Sequence, residues 1–168
     1  MVSNATRSLG PTTRLAVALI VILIALGVFW YGLSAEIFQR MWADIVDRPS
    51  GPVAFRFILQ PLMAALKALH DGVADARLGR DPYLWTILTE SNDRPGRLRE
   101  GLTATAQIIL LGFAMDAIYQ AVVLKTFYPG EMTIVAILLA FIPYLLLRGP
   151  FCRMVRRWTA RRSAGSAS

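Results

Sequence analysis

Nineteen consecutive residues, Leu15 to Leu33, carry no charged side chain. This length is close to the roughly 20 residues that an α-helix needs to cross the hydrocarbon core of a bilayer. Trp30 and Tyr31 lie near the end of the run, where aromatic residues of membrane proteins meet the bilayer surface. Because a signal-peptide core has only about 7–15 apolar residues, we interpret the run as an uncleaved membrane span.

Two more apolar blocks follow in a chain that is 55% hydrophobic and 17% charged, with a mean hydropathy of +0.49. Residues 101–124 contain a single acid, Asp116, and residues 132–147 contain no charge. Pro129 and Gly130 lie between the blocks, and this dipeptide is typical of a turn. The two blocks predict an antiparallel transmembrane hairpin, and the whole chain predicts an all-α integral membrane helical bundle.

Residues 53–77 predict an amphipathic helix. Its polar residues fall within about a third of the helical circumference, and its apolar residues cover the opposite side. The polar residues are Arg56, Gln60, Lys67, Asp71 and Asp75; the apolar residues are Phe55, Ile58, Leu62, Leu66, Leu69 and Val73. Residues 53–70 can cross the bilayer as one of four spans, with the polar side facing other helices. Alternatively, the helix lies flat in the interface beside three spans.

The distribution of positive charge indicates the orientation. With four spans and both termini in the cytoplasm, thirteen of the 18 Lys and Arg residues are cytoplasmic, three are external and two lie within the membrane. With a flat amphipathic helix and an external N-terminus, the split is fifteen to three. Both arrangements obey the positive-inside rule. We favour four spans because Arg56 and Lys67 then lie near opposite ends of a span, where long side chains reach the interface.

The predicted organisation is one transmembrane domain, residues 15–150, with spans at about 15–33, 53–70, 101–124 and 132–147. Residues 1–14 are expected to be disordered, residues 79–100 to form a cytoplasmic interfacial segment, and residues 151–168 to form a basic C-terminal tail. Arginines after the last span are expected to contact anionic phospholipid headgroups. These arginines are Arg148, Arg153, Arg156, Arg157, Arg161 and Arg162.

Asp116 is the most informative single residue, because an acid within a span is costly and usually faces protein or water. Helical spacing places Gln120 on its face, and the predicted depths allow an ion pair with Arg56 and a hydrogen bond from Gln60 or Gln120. This polar cluster can act as a proton or ion relay or as a clamp that fixes helix packing. We favour the clamp, because a relay normally requires a chain of titratable groups.

The sequence lacks the catalytic motifs of most enzyme classes. Cys152 and His70 are the only residues of their types, so a Cys/His zinc site cannot form within the chain. The segment from Asp71 to Arg77 superficially resembles the DGxxAR core of the CDP-alcohol phosphatidyltransferases. Its spacing is one residue too long and the other acids of that motif are missing, so we do not assign this activity. We expect no catalytic residue, metal or cofactor, and no nucleic-acid partner.

One further pattern runs through the middle of the chain: Phe55-Arg56-Phe57-Ile58-Leu59-Gln60-Pro61, Asp71-Gly72, Asp75-Ala76-Arg77, Gly79-Arg80, Pro82-Tyr83 and Trp85. With these residues the sequence resembles small multi-spanning inner-membrane proteins of proteobacteria that have no assigned function. The resemblance covers about a fifth of the chain and implies a bacterial inner membrane, but no activity.

Three functions are compatible with these patterns. The first is a non-enzymatic accessory, assembly or scaffold subunit of a larger membrane complex or homo-oligomer. The second is a small oligomeric transporter or channel in which Asp116, Gln107, Gln120, Gln60 and Arg56 line an aqueous cavity. The third is a lipid-modifying enzyme, in which Asp71 and Asp75 converge with Arg77 and Arg80 on a phosphate. We favour the first.

Overall fold

The chain is an all-α helical bundle. The computed structural model describes residues 9–32 and 54–165 and, between these ranges, positions 36, 39, 42, 43 and 46. The helices are α1 (Pro11–Tyr31), α2 (Arg56–Arg77), α3 (Tyr83–Thr89), α4 (Arg94–Tyr119) and α5 (Pro129–Gly165), and α4 continues into a π-helical turn at Gln120–Leu124. The described ranges contain no strand. The predicted fold class is confirmed.

Among the described residues, three helices are long and apolar enough to cross a membrane: Pro11–Tyr31, Arg94–Leu124 and Pro129–Arg162, with mean hydropathies of 2.4, 1.7 and 2.1. They correspond to the predicted spans 15–33, 101–124 and 132–147. The helix predicted at 53–70 is α2, which begins at Arg56 and continues to Arg77. It is not among the three, because the polar residues on one side lower its mean hydropathy.

The four long helices alternate in direction. A Cβ on Gly27 of α1 would lie 2.9 Å from the backbone nitrogen of Gly130, so the end of α1 meets the start of α5. The Gln60 amide of α2 lies beside Gly112 of α4, and Gly72 lies against the backbone of Arg148 in α5. Helices α2 and α5 therefore run parallel, and α1 and α4 run antiparallel to them. We call the two ends of the bundle the Phe127 end and the Tyr83 end.

Small residues allow α2 and α5 to pack closely. Ala64 and Ala68 of α2 and Ala136 and Ala140 of α5 are at most 1% exposed. Each pair is spaced by four residues, so one narrow ridge of each helix faces the other. Such small-residue stripes let helix backbones approach each other in membranes, where van der Waals packing drives association. The α2 helix therefore lies lengthwise along α5.

Helix α2 is amphipathic with its polarity reversed relative to a helix of a water-soluble protein. Ile58, Leu62 and Leu66 point outward and are 74%, 51% and 59% exposed, whereas Arg56 and Gln60 point inward and are 1% and 0% exposed. The predicted separation of polar and apolar faces is confirmed. An apolar exterior around a polar interior is the arrangement expected for a helix surrounded by lipid.

Two helices begin earlier than the predicted segment boundaries. Helix α1 begins at Pro11, a residue suited to the first helical position, so the expected disorder does not hold for residues 11–14. Residues 1–8 lie outside the described residues. The segment predicted at 79–100 contains the short helix α3 and the first turns of α4, which begins at Arg94; its interfacial position stays a prediction.

The predicted C-terminal tail, residues 151–168, is largely helical. Helix α5 continues to Gly165 without interruption. Arginine and alanine favour helix, and helix formation is cooperative, so the segment extends the apolar helix that precedes it. Residues 166–168 lie outside the described residues.

Candidate functional site

The polar cluster predicted within the membrane is present near the Phe127 end. Arg56 Nη2 lies 2.6 Å from Asp116 Oδ1, and the two side chains are 2% and 0% exposed. This ion pair joins α2 to α4 and confirms the predicted pairing. We call Arg56, Gln60, Asp116 and Gln120 the Arg56 cluster. Because it is closed to solvent, each charge depends on the other for compensation.

Gln120 connects this cluster to the turn between α4 and α5. Its Nε2 donates to Asp116 Oδ2 at 2.7 Å and to the Tyr128 carbonyl at 3.1 Å, and its Oε1 accepts from the Tyr128 backbone nitrogen at 2.7 Å. Gln120 also starts the π-helical turn, and such turns often occur where a helix is adjusted to place a side chain. Gln120 thus supplies the hydrogen bond that the sequence assigned to either glutamine.

Gln60 is placed differently. It is 0% exposed, and neither of its amide atoms has a hydrogen-bond partner among the described residues. Its Nε2 lies only 2.7 Å from the position that a Cβ on Gly112 would occupy. The glycine therefore makes room for the amide between α2 and α4. Gln60 belongs to the cluster by position, but it forms no hydrogen bond with Asp116.

A second buried cluster lies near the Tyr83 end and is centred on Arg148. Arg148 Nε donates to Asp75 Oδ2 at 2.8 Å, and its Nη2 donates to Asp75 Oδ1 at 3.0 Å and to Glu100 Oε1 at 2.6 Å. Its Nη1 donates to the Tyr144 hydroxyl at 2.6 Å. We call Asp75, Glu100, Tyr144 and Arg148 the Arg148 cluster. It joins α2, α4 and α5 at one point.

Residues around the Arg148 cluster extend the network. The Tyr144 hydroxyl donates to Asp71 Oδ2 at 2.8 Å, and Lys67 Nζ donates to Asp71 Oδ1 at 3.0 Å. The Arg148 guanidinium lies 4.3 Å from the centre of the Tyr83 ring, which is within the range of a cation–π contact. Burial is the main cause that raises the pKa of Tyr83 from 10.0 to about 12. The Tyr83 hydroxyl therefore stays protonated at neutral pH.

The position of Arg148 corrects a prediction from the sequence. Arg148 was expected to contact anionic lipid, but it is 1% exposed and turned inward. Three groups of the bundle attract it inward: the Asp75 carboxylate, the Glu100 carboxylate and the Tyr83 ring. The sequence did contain a signal, because Tyr144 and Arg148 share one helix face and Asp71 and Asp75 share another. Which faces meet depends on tertiary packing, which spacing alone does not give.

The other arginines of the C-terminal segment differ in exposure. Arg156 is partly buried and its guanidinium donates to the carbonyl of Arg80. Four others are exposed and therefore accessible to lipid headgroups, which stays a prediction. These four are Arg153, Arg157, Arg161 and Arg162. In a straight helix, the segment from Arg148 to Arg162 is about 21 Å long, so the last arginines lie well away from the start of the segment.

The acids proposed for lipid chemistry do not point at a common open space. Asp75 is 1% exposed and both its oxygens accept hydrogen bonds from Arg148. Arg80 approaches Asp75 at 3.7 Å, so these two charges face each other. Arg77 is exposed. Within the described ranges, no group of three or more His, Cys, Asp or Glu side chains could hold a metal ion.

A cleft of about 740 Å³ lies beside the Arg148 cluster at the Tyr83 end. Its walls are the N-terminal turn of α1 and the facing sides of α2 and α4. Polar and charged residues line much of it, among them Thr12, Lys67, Arg80, Arg99, Thr103 and Gln107. Gln107 was expected to line an aqueous cavity together with the Arg56 cluster. The structure places it in this cleft, whereas the Arg56 cluster is closed.

Comparison with protein-family models, curated proteins and solved structures gave no match to this chain.

Proposed function

We propose that this chain is a four-span, non-enzymatic protein of a bacterial inner membrane, with both termini in the cytoplasm. It acts through helix packing as an accessory, assembly or scaffold subunit of a larger membrane complex or homo-oligomer. The observation that carries the proposal is the closed Arg56–Asp116 ion pair, together with the buried Arg148–Asp75 pair at the other end. These charges compensate each other inside the bundle, and the outward side of α2 from Phe55 to Leu69 is apolar.

The fourth span in this proposal is α2. It lies lengthwise along α5, and its exposed residues are apolar from Phe55 to Leu69, a distance of about 21 Å along the helix. A helix that lies flat on the interface would present its polar side to water, whereas the polar side of α2 faces α4 and α5. Placing the Tyr83 end in the cytoplasm follows from the excess of Lys and Arg at that end.

Ion pairs connect every pair among the helices α2, α4 and α5. Arg56–Asp116 links α2 to α4, Asp75–Arg148 links α2 to α5, and Glu100–Arg148 links α4 to α5. The first two pairs are buried, and buried pairs are sensitive to geometry, so they favour one arrangement of the helices. A fixed bundle with apolar sides suits a protein that supports other membrane helices. A transport path would instead require these groups to face water.

Cysteine labelling tests the topology. In a Cys152→Ala background, Ala43→Cys and Ser91→Cys would each be treated with a membrane-impermeant maleimide in intact cells and in inverted vesicles. Positions 43 and 91 are exposed. Four spans place them on opposite sides of the membrane, so each is labelled in only one preparation. Labelling of both positions in the same preparation would support the flat helix and contradict the fourth span.

Two measurements test the function. We would extract the tagged protein from its native membrane in polymer-bounded discs and determine the mass of the particles. The proposal predicts discs that contain further protein chains, and no proton or ion flux from vesicles that contain the purified protein. Discs with a single chain, together with a flux that Asp116→Asn abolishes, would contradict the scaffold function and support the transporter function.

A further inference from the structure

The cleft at the Tyr83 end contains more positive than negative charge. Lys67, Arg80 and Arg99 line it together with Asp71 and Glu100. Both carboxylates are already engaged: Asp71 accepts from Lys67 and Tyr144, and Glu100 accepts from Arg148. Lys67 is in turn paired with Asp71, and Arg80 lies within 4.0 Å of Asp75 and Glu100. Among the described residues, the excess positive charge of the cleft is therefore carried by Arg99.

Arg99 is the cation best placed to bind a ligand. Among the described residues, no carboxylate lies within 4.0 Å of its guanidinium. Thr103, one turn later, and Gln107, two turns later, follow on the same side of α4 and also line the cleft. Arg99 supplies a fork of N–H donors and Gln107 supplies an amide, whereas the Thr103 hydroxyl donates to the Arg99 carbonyl at 2.9 Å. This combination matches the oxygens of a phosphate group.

The first turn of α1 adds to the positive potential. Gly10 and Thr12 line the cleft, and the helix begins at Pro11. The first N–H groups of a helix have no partner within it, and here neither a capping side chain nor an acid of the first turn neutralises them. Helix N-termini carry a partial positive charge that favours anions. This contribution acts on the same space as Arg99.

Exposed apolar side chains lie within one helical turn of the cleft residues, toward the middle of the bundle. Leu15, one turn after Thr12, is 53% exposed, and Leu66, next to Lys67, is 59% exposed. A molecule with its phosphate among the cations would therefore have apolar surface next to it on both α1 and α2. This is the polarity profile of a phospholipid at the level where headgroup and acyl chains meet.

We propose that this cleft is a binding site for a phosphate group, as carried by the headgroup of a phospholipid in the adjacent leaflet. Arg99, Gln107 and the α1 N-terminus hold the phosphate, and Leu15 and Leu66 contact the first part of the acyl chains. Free phosphate has the same chemistry and is separated from the lipid by the experiment. The inference rests on the bilayer placement under the proposed function. Its readout is lipid retention rather than flux or partner mass, so the two proposals can fail separately.

The test uses the full chain in detergent micelles that contain equal amounts of phosphatidylglycerol and a galactolipid that lacks phosphate. Native mass spectrometry reports which lipid stays bound. We expect retention of phosphatidylglycerol over the galactolipid and about a tenfold weaker affinity in Arg99→Gln. Arg153→Gln is the matched control, because Arg153 is an exposed arginine of α5 outside the cleft. Thr103→Trp, at an exposed position of the cleft wall, should reduce retention by steric blocking without removing an ion pair.

Competition with inorganic phosphate identifies the source of the ligand. If millimolar phosphate leaves the bound lipid in place, the site is a lipid site; if phosphate displaces the lipid and binds in an Arg99-dependent manner, its ligand is free phosphate. Equal retention of phosphatidylglycerol in Arg99→Gln, Thr103→Trp and Arg153→Gln would overturn the proposal. So would equal retention of the two lipids by the unmodified chain. Circular dichroism of each variant checks that the helices have formed.

Discussion

The Arg148 guanidinium donates two parallel hydrogen bonds to the Asp75 carboxylate, at 2.8 Å and 3.0 Å, and both side chains are 1% exposed. Bidentate geometry of this kind gives the strongest and most directional ion pairs. The same guanidinium also binds Glu100, so one arginine of α5 holds one acid of α2 and one of α4. A single residue thus links three helices at the Tyr83 end.

Replacing Arg148 should strongly destabilise the bundle. Arg148→Met leaves the Asp75 carboxylate buried without its main partner, and loss of one member of a buried pair costs about 3–5 kcal/mol. We expect a clear fall in the midpoint of thermal unfolding, followed by circular dichroism in detergent. The double variant Asp75→Leu/Arg148→Met should recover part of this loss. Arg153→Met, which removes an exposed arginine of the same helix, should leave the midpoint nearly unchanged.

Gly72 should not tolerate a side chain. A Cβ at this position would lie 2.8 Å from the Arg148 carbonyl oxygen and 3.2 Å from the Cys152 nitrogen, and both are backbone atoms of α5. Gly72→Ala therefore forces α2 and α5 apart, and overpacking of this kind typically costs about 1–3 kcal/mol.

Gly96 provides the matched control for Gly72. It lies in α4, and a Cβ there would meet nothing within 4 Å. Gly96→Ala should raise stability by about 0.5–1 kcal/mol, because alanine loses less conformational freedom in a helix than glycine does. Opposite changes in the unfolding midpoint would confirm the close contact of α2 and α5. Equal changes in both variants would contradict it.

Periodicity and hydropathy were sufficient to predict the helices from the sequence. The uncharged runs predicted α1, α4 and α5, and the spacing from Arg56 to Asp75 predicted both faces of α2. The Arg56–Asp116 pair could also be predicted, because an isolated acid within a span requires compensation and few cations lie at a suitable depth. These predictions needed only the local hydropathy and helical periodicity, together with the requirement that a buried acid be compensated by a cation.

The Arg148 cluster could not be predicted in the same way. Arg148 lies at the end of an apolar run, where an arginine can turn toward lipid headgroups or toward the protein, and sequence alone does not separate these outcomes. The deciding factor is the presence of Asp75 and Glu100 on two other helices at the same depth. Whether these acids reach the depth of Arg148 depends on the register in which α2 packs against α5. Small residues such as Ala64 and Ala136 form that contact, and their spacing in the sequence is compatible with more than one register.

Replacement of Gln60 by a residue without polar atoms should be tolerated. Its amide is 0% exposed and lacks a hydrogen-bond partner among the described residues, and such a group costs about 1–3 kcal/mol. Gln60→Met keeps the approximate volume and removes the amide. We expect an unfolding midpoint that is unchanged or higher. A marked decrease would show that the amide has a partner in the membrane, such as an ordered water.

The Tyr83 hydroxyl should ionise at a higher pH than an ordinary tyrosine hydroxyl. Burial raises its pKa from 10.0 to about 12, and the nearby Glu100 carboxylate acts in the same direction against Arg148 and Arg97. The raised pKa means that the folded state holds this proton more tightly than the unfolded state. The resulting stabilisation is complete below pH 10 and is lost as the pH rises through about 12.

Ultraviolet difference spectroscopy can follow this ionisation. Subtracting the titration of Tyr83→Phe from that of the unmodified chain isolates the Tyr83 phenolate. We expect its absorption to appear near pH 12 in the folded protein and near pH 10 after denaturation. A midpoint near 10 in the folded protein would show that the ring is accessible to water, which contradicts its burial beneath Arg148.

Substitutions in the Arg56–Asp116 pair distinguish most directly between a role in helix packing and a role as a proton or ion relay. Removing either charge leaves the other buried, so Arg56→Met and Asp116→Leu should each lower the free energy of unfolding by about 3 kcal/mol and reduce the amount of protein in the membrane. If the pair acts as a clamp, the double variant should lose much less unfolding free energy than the two single variants lose together, because no uncompensated charge remains. The coupling is obtained from a double-mutant cycle of unfolding free energies in detergent. Additive losses, or normal abundance of Asp116→Leu, would contradict the clamp, because a residue that fixes helix packing cannot be removed without consequence for the bundle.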